Sequence, residues 1–305
     1  MILLALAGLV APAAPANPAQ DGWQLMWSDE FDGARIDRSK WQFAVDCFGG
    51  GNHERQCYTD RKRNASVAHG VLTITARREA TVGPAVMKGD RTPGLPVARK
   101  TQEYSSAKLT TEGKAAWRYG RFEIRARVPL GQGTWPAIWM LPADWAYGRW
   151  ASSGEIDIME TVNLGAPCGE CKSGREDRVL GTLHYGGVPP KNVHKGEEFP
   201  YPPILDSRFH IFGLSWSPGR MIWTVDGHPY AERRSSEWYS DATKAPGAPF
   251  DQSFYLILNL AVGGGLAESR DLKTVDPAAF PARFEIDWVR VWQCPANQAT
   301  GSCSE

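Results

Sequence analysis

The chain has 305 residues, 42% of them hydrophobic, with 31 glycines, 22 prolines and 34 residues each of basic and acidic type. A formal net charge of zero with no run of like charge argues against nucleic acid or a strongly anionic polymer as partner. The length suits one large β-rich domain or two ordinary ones.

The chain opens on MILLALAGLVAPAAPANPAQ, an apolar stretch that ends in small residues. It is too short to span a bilayer comfortably, and Ala14-Pro15-Ala16 and Ala19 offer cleavage points. Residues 1–19 are therefore expected to be a secretory signal peptide and 20–305 a single domain, secreted and extracellular. No Lys or Arg precedes the apolar run, so a plain Ala/Pro leader is the competing reading. No later segment is long and apolar enough to span a bilayer, so no membrane partner is expected, and a monomer is the simplest assembly.

Beyond the leader, period-two alternation dominates, bounded by Gly, Pro or Asp. Val71–Ala76 alternates, and Arg121–Val128 places charges on one face and apolar groups on the other. Phe209–Trp216, Met221–Val225, Phe254–Val262 and Phe284–Trp292 are further strands, separated by turn signals such as Pro218-Gly219, Asp226-Gly227 and Pro246-Gly247. Ala80–Thr101 and Leu164–Pro203 are Gly/Pro-rich and read as long loops over the sheets. Many short strands with turns between them predict an all-β sandwich or jelly roll. Six cysteines suit an exported chain, and proximity pairs Cys47 with Cys57, Cys168 with Cys171, and Cys294 with Cys303. Cys168-Gly169-Glu170-Cys171 lacks the second pair that a zinc site needs, so a loop staple is expected.

One strand breaks the pattern. In GEIDIMET, Gly154–Thr161, the acids Glu155, Asp157 and Glu160 are interleaved with Ile156, Ile158 and Met159. On a regular strand Glu155 and Asp157 share a face and Glu160 falls on the other. One extra residue, most simply Met159 in a β-bulge, returns Glu160 to the face of the other acids. Three neighbouring carboxylates raise at least one pKa. Retaining glycoside hydrolysis needs such a pair, one carboxylate as nucleophile and one protonated carboxyl as acid, about 5–5.5 Å apart. A solvated acidic edge or a calcium loop is the plain alternative.

Upstream lies Gly133–Met140, GTWPAIWM, in a chain with 13 tryptophans. Indole faces beside carboxylates suit sugar rings, whose C–H faces are apolar. Most of the tryptophans should nonetheless be core, including Trp41, Trp216 and Trp288.

GEIDIMET resembles the E-[ILV]-D-x-x-E active-site pattern of glycoside hydrolase family 16, in the bulged form of its endo-β-1,3-glucanase (laminarinase) branch. WSDEFDG (Trp27–Gly33), Gly50–Ala76, Tyr119–Pro142, Phe254–Gly264 and Phe284–Gln293 are similar to further family segments in the same order, so the resemblance covers nearly the whole chain after the leader. It implies a β-jelly-roll sandwich of two antiparallel sheets with a concave substrate cleft. It also implies Glu155 as nucleophile, Asp157 as its helper and Glu160 as general acid/base. Trp135 and Trp139 would line the donor side, Asn52 and Glu54 would bind sugar hydroxyls, and His184 would sit near the acid/base. Catalysis would need no cofactor, while a structural Ca2+ would take Glu30, the carbonyl of Gly70 and Asp287. Lys108 departs from the family's arginine in Tyr104–Leu109 and cannot reproduce its bidentate contact.

The expected activity is hydrolysis of internal β-1,3 linkages in a β-glucan such as laminarin. Mixed-linkage glucan, agarose or carrageenan as substrate, and non-catalytic glucan binding, stay open as alternatives. Retention of both glutamates favours an enzyme.

Overall fold

The computed structural model describes residues 22–270, 274–295 and 303. The expected leader at 1–19 lies outside them. Seventeen strands are present among the described residues. They are β1 (Gln24–Asp29), β2 (Gln42–Ala44), β3 (Gln56–Tyr58), β4 (Ala65–Ala68), β5 (Val71–Pro84) and β6 (Arg99–Ser106). Next come β7 (Lys108–Thr110), β8 (Gly120–Arg127), β9 (Thr134–Pro142), β10 (Glu155–Glu160), β11 (Arg178–Gly186) and β12 (Asn192–Pro200). The last are β13 (His210–Ser217), β14 (Arg220–Val225), β15 (His228–Arg234), β16 (Phe254–Val262) and β17 (Ala282–Gln293).

They form two sheets. One has ten strands, with the path β15-β14-β13-β8-β17-β5-β6-β3, β1 beside β17 and β4 beside β5. The other has seven, in the order β12-β11-β10-β9-β16-β7-β2. Every ladder between named strands is antiparallel except β3 with β6. This is the expected sandwich.

Alternation puts one face of each strand into a common core. Phe122, Ile124 and Ala126 of β8 point inward, with Phe284 and Ile286 of β17 beside them. Ile138, Met140, Ile156, Leu256 and Leu258 meet them from the seven-stranded sheet. The β14–β15 connection is Asp226-Gly227, with φ of 49° and 78°, the two left-handed residues that a tight hairpin turn requires.

The two stretches read as loops are mostly strand. Ala80–Thr101 holds the ends of β5 and β6, which form a long hairpin. Leu164–Pro203 contains β11 and β12, paired over nine residues. β12 is a sheet edge, exposed and charged (NVHKGEEFP), so it lacks the apolar alternation that marks a strand.

Trp41 and Trp216 are buried as expected, but Trp288 is not. The β17–β8 register shifts between Ile286 and Trp288, so Asp287 and Trp288 both remain partly exposed. The Arg290 guanidinium lies 4.2 Å over the Trp288 ring. Glu30 and Asp287, two of the three residues expected to hold Ca2+, carry guanidinium partners. Glu30 accepts from Arg290 Nε at 3.0 Å and Nη2 at 2.9 Å, and Asp287 pairs with Arg125.

All three expected disulfides are formed: Cys47–Cys57, Cys168–Cys171 and Cys294–Cys303.

Buried Asp29 ties the first strand to the core. Its Oδ2 accepts from Trp41 Nε1 at 2.8 Å and its Oδ1 from the Phe31 N–H at 3.1 Å. Asp29→Ala strands the indole N–H in a dry interior. It should lower the urea-derived unfolding free energy by about 1–3 kcal/mol, while Asp37→Ala on the nearby exposed turn should cost well under half as much.

Candidate active site

Gly154 opens β10 with φ of 83°, and a Cβ there would lie 2.8 Å from Phe250 Cε1 and 2.9 Å from Pro249 Cγ. The chain therefore enters the acidic strand through a position that only glycine fits. Glu155 then pairs with His184 and Asp157 with Thr182 on β11, and Asp157 with Trp139 on β9. Beyond Asp157 both registers slip: Glu160 faces Leu180 on one side and Ala137 on the other. Ile158 and Met159 both enter the core cluster, and Glu160 regains the face of the other two acids. The bulge expected from the spacing is present, and all three acids stand on the outer face of the seven-stranded sheet.

Each terminal acid has its own indole donor. Trp150 Nε1 donates to Glu155 Oε2 at 2.8 Å, and Trp135 Nε1 donates to Glu160 Oε1 at 2.9 Å. His184 Nε2 sits 3.2 Å from Asp157 Oδ2 and 3.7 Å from Glu155 Oε1. It thus lies beside the expected nucleophile and helper rather than beside Glu160, because β11 pairs it directly opposite Glu155.

Burial and the neighbouring Asp157 push Glu155 up to about 7 and Glu160 up to about 8. Three nearby groups oppose the rise at Glu155: the charge of His184, the Trp150 N–H and the charge of Lys108. Burial works against a charged His184, but pairing with Asp157 and the charges of Glu155 and Glu160 outweigh it and hold the imidazole up to about 10. The imidazolium favours an ionised Glu155, and Glu160 is the acid that keeps its proton longer. These are the opposite demands made on a nucleophile and a general acid.

Trp139 keeps part of its face open, and its Nε1 donates to Asn259 Oδ1 at 2.6 Å. Asn259 Nδ2 donates to the Tyr58 hydroxyl at 3.1 Å, which in turn donates to Glu54 Oε2 at 3.2 Å. Glu54 also accepts from Gln56 Nε2 at 2.6 Å and is buried at 7% exposure. Through Oε2 it anchors a relay that fixes the Trp139 ring. Asn52 is exposed in the adjoining loop, where its carbonyl accepts from the Gly265 N–H at 2.7 Å. Trp135 is 8% exposed and packed with Val162, Ala261 and Ala267, so it offers Glu160 an N–H rather than offering sugar an open ring. Lys108 Nζ lies 4.6 Å from the Tyr58 ring centre and 5.3 Å from that of Trp139. Trp150, Tyr58 and Asn259 were not singled out in the sequence. Tyr58 and Asn259 fall within the family-like segments Gly50–Ala76 and Phe254–Gly264, while Trp150 lies outside them, five residues before Glu155.

Residues 52–290 match the profile of Glycosyl hydrolases family 16. A glucan endo-1,3-beta-glucosidase of Cryptopygus antarcticus is 37% identical over 278 residues, covering 90% of this chain and 93% of its own length. Glucan endo-1,3-beta-glucosidase A1 of Niallia circulans is 36% identical across 93% of this chain, which spans only 40% of that larger protein. The X-ray structure of the laminarinase from Rhodothermus marinus superposes with a TM-score of 0.70 at 40% identity, covering 88% of this chain and 97% of that one. The chain belongs to glycoside hydrolase family 16, a class of carbohydrate-cleaving enzymes.

Three outcomes follow from the geometry. Tyr58→Phe cuts the relay behind Trp139 at a cost of about 1 kcal/mol, so KM for substrate should rise roughly five-fold with kcat little changed. The profile of kcat/KM against pH should be bell-shaped, its acid limb set by Glu155 near 7 and its alkaline limb by Glu160 near 8. His184→Gln removes the cation that keeps Glu155 ionised, so the acid limb should move to higher pH. A limb that moves down would contradict that arrangement.

Proposed function

We propose that this chain is a retaining endo-β-1,3-glucanase acting on β-glucans such as laminarin. The observation that carries this reading is the bulged strand that aligns three acids and gives the outer two separate indole donors. Glu155 attacks the anomeric carbon while Glu160 protonates the departing glycosidic oxygen, leaving a covalent glycosyl-enzyme. Glu160 then takes a proton from the incoming water, and the sugar leaves with net retention. Asp157 holds the His184 imidazole beside Glu155, and the charge of His184 favours the ionised nucleophile. The part-open Trp139 ring offers a stacking face for sugar, and exposed Asn52 a hydroxyl partner. The two carboxylates suffice for the chemistry, so no cofactor enters. The substrate class rests on the names carried by similar proteins, and the three disulfides support an oxidising setting outside the cytoplasm.

The test is reducing-end release from laminarin, mixed-linkage glucan, xyloglucan and agarose, with Glu155→Gln run alongside. Laminarin should be cleaved fastest, and the variant should lose at least about 10⁴-fold in kcat while keeping its fold and its glucan affinity. Faster release from another polymer would keep the mechanism and change the substrate. Binding without release by the unaltered chain would make it a glucan-binding protein.

A further inference from the structure

Pairing of β10 skips a residue on both sides immediately after Asp157. A main-chain carbonyl at such a break, inside the protein, needs a donor from elsewhere. The donor comes from the opposite sheet. Trp223, on β14, is fully buried, and its Nε1 donates to the Asp157 carbonyl at 2.8 Å. The neighbouring strand is bare where the indole passes: a Cβ on Gly181 of β11 would lie 2.5 Å from Trp223 Cδ1 and 2.7 Å from the Tyr230 hydroxyl. One indole therefore spans the core to the point where the strand changes phase between the two outer acids. Glu155 and Asp157 precede that point; Glu160 follows it and pairs with Leu180 and Ala137 in the shifted register.

We propose that Trp223 is a positioning residue, whose N–H holds the Asp157 carbonyl and through it the placement of Glu160 relative to Glu155. The proposal rests on the reading of Glu160 as general acid/base. It predicts a loss confined to leaving-group protonation, because the residues before the break keep their ladder.

The experiment compares kcat/KM, which ends at glycosylation, on laminarin and on a dinitrophenyl β-laminaribioside whose leaving group departs without a proton. Trp223→Phe removes the donor and keeps a ring. It should lower kcat/KM on laminarin about 10- to 100-fold, as expected for an ångström-scale misplacement, while the aryl substrate changes by no more than roughly two-fold. Glu160→Gln is the reference and should show the same split in stronger form. If Glu160→Gln lowers both substrates alike, the acid/base assignment fails and the proposal falls with it. If Glu160→Gln splits the substrates but Trp223→Phe lowers both equally, or neither, Trp223 is a core residue only. Should Trp223→Phe not fold, Gly181→Ala, which crowds the indole without removing it, is judged by the same split.

Discussion

Within β10 the core takes Ile156, Ile158 and Met159, and because two of these are adjacent the strand carries one residue more than its neighbours. That surplus is what brings Glu160 round to the face of Glu155 and Asp157. Burial of two consecutive apolar side chains, worth about 1.5–3 kcal/mol each, holds the distortion in place. A regular strand would have sent Glu160 toward the core, unpaired and at high cost. The packing of the inter-sheet core and the geometry of the acids are thus one constraint seen from two sides of the same sheet.

On the outer side the constraint is electrostatic. Three carboxylates share a half-buried floor, and the surroundings divide them unequally: each outer acid has one indole, but the His184 imidazolium lies within 4 Å of Glu155 and acts on Glu160 only from farther off. Like charges raise both acids, but only Glu155 has a positive partner within 4 Å. The aromatic residues serve this floor in different ways. Trp135 and Trp150 act through their N–H groups, whereas Trp139 is held by a chain of hydrogen bonds that ends on buried Glu54 and leaves part of its ring open. Glu54, an acid in a motif that looks like a sugar ligand, also supports a ring through its Oε2.

Much of this was legible. Alternation located β8, β13, β14, β16 and β17 to within two or three residues at each end, and the spacing of GEIDIMET required a bulge. Edges and bulges were harder to read. β12 was missed because an edge strand exposed to water needs no apolar face, and Trp288 was misplaced because a second bulge, at Asp287, turns two successive residues outward. Glu30 and Asp287 pair with Arg290 and Arg125 from other strands or strand positions, contacts that a search of sequence positions one at a time does not reveal.

The sequence by itself determined the class of fold, the acidic strand and its extra residue, because local alternation and spacing are properties of neighbours along the chain. It did not determine which donor meets which acid. Trp135 reaches Glu160 across the β9–β10 ladder, His184 reaches Glu155 because β11 pairs in one register, and Trp223 reaches the bulge from the other sheet, 66 residues away in the chain. Those contacts exist only once two sheets have closed on a common core, since their range and direction are set by packing and not by separation in sequence.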